Sequence, residues 1–285
     1  MGQRPRVAGL RVLITGASQG IGRALAVAAA ARGAKVLAAA RSEDLLAQLA
    51  AEARGRGGVI ETIQADVTVP EHRDRMTGAA LRHFGGLDVL VNNAGVGATG
   101  HFAEAGPERL RQIMEVNVFA LIEMTRLALP LMKQGRTPAL VNVSSVAGKR
   151  GIPARSEYSA SKFAVEGFSE ALRPELSKDG IDVIVVCPGL TQTNFSQNML
   201  EQKALLQLDH MRGMTPEQVA EAILRSLARG RNEVCLTLQG RLIAWVSRFF
   251  PRLADRFARR KVRALCREEI AARQAQHSES PLAPV

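Results

Sequence analysis

Leu10-Arg-Val-Leu-Ile-Thr-Gly-Ala-Ser-Gln-Gly-Ile-Gly22, near the start of the 285-residue chain, joins a short apolar run to a glycine-rich turn and a helix. Gly16, Gly20 and Gly22 allow a tight turn, close approach of backbone N–H groups to a pyrophosphate, and close packing of the helix. The alternative is a glycine-rich turn without a ligand. The strand before the turn and the helix after it favour a phosphate site.

The rest of the chain repeats this alternation of strand and helix. Short β-branched or apolar runs predict seven strands, at residues 10–15, 35–39, 59–64, 87–91, 139–143, 182–186 and 233–238. The segments between them have helical periodicity. We therefore predict an α/β fold, with one Rossmann-type, doubly wound domain over residues 1–240 and helices on both faces of a parallel sheet. Such sheets bind ligands beyond the carboxyl ends of their strands.

Composition excludes several other classes of protein. The chain is 46% hydrophobic and 23% charged, with 25 Gly and 12 Pro, which excludes disordered, collagen-like and low-complexity proteins. Its three cysteines are widely spaced and form no C-x-x-C pair, so we predict neither a disulfide framework nor a metal site. No stretch has the ~20 apolar residues of a membrane span or the form of a signal peptide. A cytoplasmic location is predicted.

Residues after the second and third strands bear on the choice of cofactor. Arg41 stands where a dinucleotide site of this topology usually presents an acidic residue to the ribose hydroxyls. An arginine there pairs with a 2′-phosphate, which favours NADP(H), unless it is simply a solvated surface residue. Asp66 either accepts a hydrogen bond from the adenine amino group or caps the next helix.

A Tyr-x-x-x-Lys pair follows the fifth strand. Tyr158 comes thirteen residues after Ser145, and Lys162 lies at i+4 from it on one helix face. An ammonium about 4 to 5 Å away favours the phenolate by roughly 3 to 4 kcal/mol at an effective dielectric of about 20. We therefore expect Lys162 to lower the pKa of Tyr158 toward neutrality, with Ser145 holding the substrate oxygen.

Three asparagines lie near the same sheet edge. Asn92 and Asn93 follow the fourth strand, and Asn117 lies in the apolar-periodic segment 108–132. Buried amides must form hydrogen bonds. These side chains either brace the ends of the strands or hold a chain of water molecules.

Together the motifs resemble the short-chain dehydrogenase/reductase family in its classical form. The resemblance covers about residues 8–240 and is carried, in order, by TGASQGIG, NNAG, Asn117, VNVSS, YSASK and CPGLTQT. It implies a catalytic set of Asn117, Ser145, Tyr158 and Lys162. Ser145 is preferred to Ser144 because the family's serine and tyrosine are commonly thirteen residues apart. The resemblance also implies a homodimer or homotetramer.

The same resemblance implies a cofactor site. Its residues are Gly16, Ser18, Gln19, Gly20, Ile21, Gly22, Arg41, Asp66, Val67, Asn93, Ala94, Gly95, Tyr158, Lys162, Pro188, Gly189, Thr191 and Thr193. Lys162 would hold the nicotinamide ribose, and Thr193 with the backbone after Pro188 would fix the carboxamide. The family's arginine after the second strand marks NADP users, in agreement with Arg41. Some NADP-dependent members carry a basic residue where this chain has Gln19.

These residues predict an NADP(H)-dependent oxidoreductase that interconverts an alcohol and a ketone or aldehyde, with Tyr158 as acid and base. Residues 190–214 interrupt the alternation and are interpreted as a lid with the apolar side chains Phe195, Met199, Leu200, Leu205, Leu206 and Met211. Such a lid favours an apolar or lipid-like substrate. The alternative is an NADP(H)-binding regulator or scaffold that acts through its C-terminal helices.

Residues 241–274 are predicted to form a basic amphipathic helical extension. Of the net charge of +11, +6 lies from Arg241 onward. Leu242, Trp245, Val246, Phe249, Leu253 and Phe257 recur at spacings of three and four, and Pro251 begins a second helix. This apolar face packs on the core or a second subunit, or lies on a membrane surface. Nucleic acid is disfavoured because no reading motif is present. Residues 275–285 are predicted to be disordered.

Overall fold

Strands of nearly continuous apolar residues form the centre of the protein. A computed structural model of the chain describes residues 7–203, 213–265 and 267. Its seven-stranded sheet is parallel throughout and has the order β3-β2-β1-β4-β5-β6-β7. The strands are β1 (Arg11–Thr15), β2 (Lys35–Ala40), β3 (Val59–Gln64), β4 (Val89–Asn92), β5 (Ala139–Val143), β6 (Asp182–Cys187) and β7 (Glu233–Cys235). The predicted doubly wound sheet is confirmed, and its winding reverses between β1 and β4.

Helices cover both faces of this sheet. They are α1 (Gly20–Ala30), α2 (Glu43–Gly55), α3 (Pro70–Phe84), α4 (Pro107–Met114), α5 (Ala120–Met132), α6 (Ser156–Ser177), α7 (Pro216–Arg229), α8 (Leu238–Phe249) and α9 (Pro251–Leu265). One core joins the sheet to α1, α2 and α7, with Leu25 and Ile223 at its centre. A second joins the other face to α3, α5 and α6 through Met76, Met124 and Leu176.

The last strand is shorter than the apolar run at residues 233–238 predicts. The Thr237 hydroxyl accepts a hydrogen bond from the Gly240 N–H at 3.0 Å and so caps α8, which begins at Leu238. Gly240 is buried, and a Cβ there would lie only 2.7 Å from a methyl group of Val146. A side-chain cap therefore ends the extended backbone, and the C-terminal helices begin before residue 241.

The C-terminal helices leave an apolar stripe exposed, which we call the C-terminal stripe. Its six large side chains are between 46% and 81% exposed: Leu238, Leu242, Trp245, Phe249, Leu253 and Phe257. An ion pair of 2.5 Å between Arg150 and Asp255 joins α9 to the loop before α6. The stripe thus does not pack on the core of its own chain. The predicted disordered segment 275–285 lies outside the described residues, as do Leu205, Leu206 and Met211 of the predicted lid.

Two kinds of feature are missing from the described part of the chain. No helix there is long and apolar enough to cross a membrane. No group of three or more His, Cys, Asp or Glu side chains there is placed to hold a metal ion.

Candidate active site

The glycine-rich turn lies at the carboxyl edge of the sheet, where the winding reverses. Gly16 and Gly20 have φ values of +63° and +56°, which favour glycine because it lacks a Cβ. A Cβ on Gly22 would lie 2.4 Å from the carbonyl oxygen of Gly16. The first turn of α1 has no acidic residue, and the Gln19 side chain does not cap it. This cradle fits the pyrophosphate of a dinucleotide, because N-terminal helix N–H groups favour an anion.

Asparagine side chains hold this turn in place. The Asn93 amide nitrogen Nδ2 donates to the carbonyl oxygens of Thr15 and Gly16, at 2.9 and 3.1 Å. Asn92 is buried and donates to Oδ1 of Asn142 at 3.0 Å, which ties β4 to β5. Of the two interpretations of these amides, the structure thus gives direct hydrogen bonds that brace the ends of the strands.

Arg41 and Asp66 lie together after β2 and β3. The Arg41 side chain is exposed, and its charge is one of the causes that lower the pKa of Asp66. Burial opposes that lowering, but Asp66 Oδ1 accepts hydrogen bonds from the N–H and the hydroxyl of Thr68, at 2.9 and 2.7 Å. Asp66 therefore braces the turn before α3, whose N-cap is Val69.

A local change of helical winding brings Asn117 to the site. Residues Glu115–Phe119 form a π-helical turn between α4 and α5, a feature that is common at functional sites. Asn117 is 1% exposed. Its amide nitrogen donates to the Val96 carbonyl and to the Ser161 hydroxyl, each at 2.9 Å. It thus joins the loop after β4 to the helix that carries the tyrosine.

Ser145, Tyr158 and Lys162 meet at the same edge. Ser145 follows β5, and its hydroxyl lies near enough to Tyr158 to favour the ionised form of the tyrosine. Lys162 lies one turn further along α6, and its Nζ is 5.8 Å from the centre of the Tyr158 ring. The structure therefore brings the four predicted catalytic side chains together, since Nζ of Lys162 and Oδ1 of Asn117 both lie beside Gly95.

The predicted effect of Lys162 on the tyrosine is wrong for this structure. Burial raises the pKa of Tyr158, and the nearby Ser145 hydroxyl and the charge of Arg155 oppose this only in part. Lys162 Nζ donates to the Val143 carbonyl at 2.9 Å, and burial lowers its pKa to about 8. The Coulomb argument from helical spacing omitted the cost of burial, which dominates for both groups.

The first part of the predicted lid touches both the tyrosine and the glycine-rich turn. The Phe195 ring lies 5.8 Å from the Tyr158 ring, at an interplanar angle of 54°. Thr193 packs on Gly20, where an added Cβ would meet its methyl group at 3.0 Å. The other predicted cofactor residues also follow strands at this edge: Ser18 and Ile21 after β1, Val67 after β3, Ala94 after β4, and Pro188, Gly189 and Thr191 after β6.

Sequence reasoning missed a buried ionic cluster beside the tyrosine. Arg109 of α4 donates two hydrogen bonds to Oε1 of Glu157, at 3.0 and 2.7 Å. It also pairs with Glu201 of the lid segment. Burial opposes ionisation, yet the guanidinium of Arg109 holds the pKa of Glu157 below its ordinary value. No periodic pattern marks these residues, which lie far apart along the chain.

A second missed cluster lies behind Lys162. Glu166 accepts hydrogen bonds from Nζ of Lys149 at 2.8 Å and from the thiol of Cys187 at 3.1 Å. Glu166 lies at i+4 from Lys162, and its charge opposes the lowering of the Lys162 pKa by burial. That spacing within the YSASKFAVE stretch was the available signal for Glu166.

The doubly wound sheet, the glycine-rich cradle and the Ser–Tyr–Lys group together define a Rossmann-type oxidoreductase. The family model described as short chain dehydrogenase matches residues 11–204. An uncharacterized oxidoreductase of Bacillus subtilis, YxnA, is 36% identical over 250 residues, which cover 86% of this chain and 70% of that protein. The chain belongs to the short-chain dehydrogenase/reductase family, as its motifs predict.

Other relatives have more specific descriptions. The ketoacyl reductase HetN of Nostoc is 35% identical over 227 residues, which cover 79% of this chain and 78% of that protein. A short-chain dehydrogenase/reductase of Burkholderia phymatum, solved in complex with NAD, has a TM-score of 0.74 and 27% identity, and the match covers 81% of this chain and 89% of that one.

Proposed function

We propose that this protein is an NADP(H)-dependent oxidoreductase that interconverts an alcohol and a ketone or aldehyde. The observation that carries the proposal is the grouping of Ser145, Tyr158 and Lys162 at the same edge of the sheet as the glycine-rich cradle. The bound nicotinamide would supply or accept the hydride. The Tyr158 hydroxyl gives a proton to the substrate oxygen in reduction and removes it in oxidation, while Ser145 orients that oxygen. Gly16, Gly20 and the first turn of α1 would hold the pyrophosphate.

Replacement of the tyrosine tests the acid and base assignment. Tyr158→Phe removes only the hydroxyl group, so turnover falls by several orders of magnitude while NADPH still binds. NADPH oxidation with a panel of carbonyl compounds and a fluorescence titration of NADPH measure the two effects. Retention of most activity by Tyr158→Phe at saturating cofactor contradicts the mechanism and favours the regulator or scaffold alternative.

The preference for a phosphorylated cofactor is proposed from Arg41. Its side chain is exposed at the carboxyl end of β2, next to Asp66, and no carboxylate occupies the position after this strand. An exposed guanidinium is free to pair bidentately with a 2′-phosphate. Arg41→Asp weakens NADPH binding far more than NADH binding, as measured by titration. Equal wild-type affinity for both cofactors contradicts the proposal, and the relative solved with NAD makes the comparison necessary.

An apolar substrate body is proposed from the lid segment. Phe195 packs against Tyr158 and Gly97, and Met199 and Leu200 continue the same segment. The relatives described as ketoacyl reductases support a carbonyl on an acyl chain. Each CH₂ removed from water contributes about 0.8 kcal/mol, so kcat/KM rises with chain length in a series of ketones. A flat or falling series contradicts the proposal.

A peripheral contact with an anionic membrane is proposed for the C-terminal stripe. Its exposed aromatic and aliphatic side chains lie beside a row of arginines on α9, with Arg252, Arg256, Arg259, Arg260 and Arg263 lining one groove. Aromatic residues with flanking cations are typical of interfacial helices. The full chain sediments with vesicles that contain phosphatidylserine, and added salt weakens this binding.

The control for vesicle binding is the full-chain double variant Trp245→Ala/Phe249→Ala, which should not sediment with the vesicles. A dimer or tetramer in which the stripe is covered by a second copy is the competing outcome. Sedimentation velocity detects it, because the same double variant would then dissociate while vesicles bind neither protein.

A further inference from the structure

We propose that Arg155 binds an anionic group of the substrate, a carboxylate or a phosphate, beside the tyrosine. The inference rests on the proposed function and assigns a substrate class: a carbonyl compound that carries an anion close to its reacting carbon. Arg155 directly precedes α6 and lies three residues before Tyr158, and its carbonyl accepts the Ser159 N–H at 2.8 Å. Arg155 is the N-cap of α6 and Tyr158 is its third helical residue, two positions whose groups meet at a helix N-terminus.

Arg155 is a largely buried residue, and its charged group has no partner in the described part of the chain. It is 8% exposed. Within residues 7–203, 213–265 and 267, no hydrogen bond or ion pair of its guanidinium is found, and its electrostatic interaction is with Tyr158. Burial accordingly lowers its pKa. None of its guanidinium nitrogens is a fully buried atom without a partner, so the charged group remains accessible and can pair with an anion.

The acidic side chains of this region are already engaged elsewhere. Glu157 accepts its hydrogen bonds from Arg109, and Glu201 pairs with both Arg109 and Lys203. Both carboxylates therefore pair with other cations, and neither pairs with Arg155. A negative charge on the substrate would supply the partner that Arg155 lacks.

The backbone is strained at the residue before Arg155. Ala154 has φ +61° and is the one non-glycine residue with positive φ in the described part of the chain. Its carbonyl accepts the Gly100 N–H at 3.0 Å, and the adjacent Thr99 N–H donates to the Glu201 carbonyl at 2.8 Å. Strained residues persist where surrounding contacts determine them, and they cluster at ligand sites. Here the contacts are two loops that border Tyr158.

The geometry defines the ligand chemistry. A guanidinium presents two parallel N–H groups that match the oxygens of a carboxylate or phosphate. Tyr158 acts on the carbonyl oxygen one helical turn away, so the anion lies within a few bonds of that carbonyl. The apolar remainder of the substrate would lie against Phe195. α-Oxo and γ-oxo acids with a hydrocarbon tail combine the anion near the carbonyl with the apolar remainder.

Matched substrate pairs test this assignment. We compare α-oxo and γ-oxo acids of equal chain length with their methyl esters, which keep the carbonyl and lose the charge. A charge-assisted hydrogen bond predicts that wild-type kcat/KM favours the acid by about 10- to 100-fold. Arg155→Met brings the acid-to-ester ratio close to one, and Arg155→Lys retains part of it. Arg126→Met removes the same charge from an exposed position on α5, where the side chain is 70% exposed, and leaves the ratio unchanged.

A binding measurement separates this inference from the proposed function. Calorimetric titration of the NADP⁺-bound protein uses an α-oxo acid and inorganic phosphate as probes. Both bind the wild type and Tyr158→Phe at least tenfold more tightly than Arg155→Met. Binding that depends on Arg155 without any turnover would refute the proposed function and keep the anion site. Affinities that do not depend on Arg155, or a wild-type acid-to-ester ratio near one, overturn the anion site itself. Tighter binding of phosphate than of the oxo acid assigns a phosphorylated substrate.

Discussion

Removal of Arg109 should destabilise the fold far more than removal of an ordinary surface arginine. Arg109 and Glu157 side chains are 7% and 5% exposed, and two hydrogen bonds join them. Arg109→Met leaves the carboxylate of Glu157 buried without its cation. Breaking a buried pair from one side costs about 3 to 5 kcal/mol, because the remaining charge is uncompensated.

This loss converts to a shift in melting temperature. The entropy of unfolding is about 2.1 cal/mol/K per residue, which for 285 residues gives about 0.6 kcal/mol/K. Arg109→Met therefore lowers Tm by about 5 to 8 °C at neutral pH. Differential scanning calorimetry of the wild type and Arg109→Met measures it, and the exposed Arg126→Met serves as the control.

The pH dependence has a definite sign. The folded-state pKa of Glu157 is lowered, so the stability it contributes is present above the ordinary carboxyl pKa. That contribution is lost as the pH falls through the lowered pKa. The difference in Tm between wild type and Arg109→Met consequently shrinks in acid, below about pH 4.

A double variant tests whether the loss of stability comes from the unpaired charge of Glu157. Arg109→Met/Glu157→Leu replaces both charges by apolar groups and should recover most of the lost stability, since such replacements are often neutral. A single-variant loss below about 1 kcal/mol, the range of exposed pairs, would refute the argument. So would a double variant whose loss equals the sum of the two single losses.

Three further changes have expected outcomes. Gly22→Ala forces a Cβ within 2.5 Å of the Asn93 amide, so NADPH affinity in a fluorescence titration falls more than tenfold; an unchanged Kd contradicts the cradle. Ala154→Gly relieves the positive φ and raises the free energy of unfolding in urea by about 1 kcal/mol. An unchanged free energy of unfolding would show that the backbone at Ala154 is not strained. Cys187 is buried, and burial raises its pKa. A thiol reagent at neutral pH should therefore label Cys235 before Cys187, as read by peptide mass spectrometry.

The sheet could be predicted from sequence because its strands are apolar on both faces. Such runs stand out from the amphipathic helices between them, and the first strand was misplaced only at its start. The end of the last strand was not visible in hydrophobicity, since the Thr237 cap competes with the apolar run that continues to Leu238. The sequence signal for this helix cap was Thr237, three residues before Gly240.

Within the site, the spacing of residues along a helix could be read from the sequence, whereas their burial could not. The i, i+4 pair of Tyr158 and Lys162 could be placed on one helix face, but the depth of that face in the protein depends on residues distant along the chain. The sign of the tyrosine pKa shift was therefore wrong. Arg109 and Glu157 lie 48 positions apart, and no one-dimensional pattern links them.

The lid segment has a thermodynamic consequence because it contacts both the glycine-rich turn and the tyrosine, where we propose that the cofactor and the substrate bind. Thr193 packs on Gly20, and the Asn198 amide donates to the Gln19 side chain at 3.2 Å, while Phe195 lies on the tyrosine ring. Free-energy coupling between two ligands is reciprocal. The factor by which a bound dinucleotide at the turn tightens the binding of a substrate under Phe195 must equal the factor by which that substrate tightens the binding of the dinucleotide. Cooperativity between the two ligands is thus a property that this one stretch of chain can set.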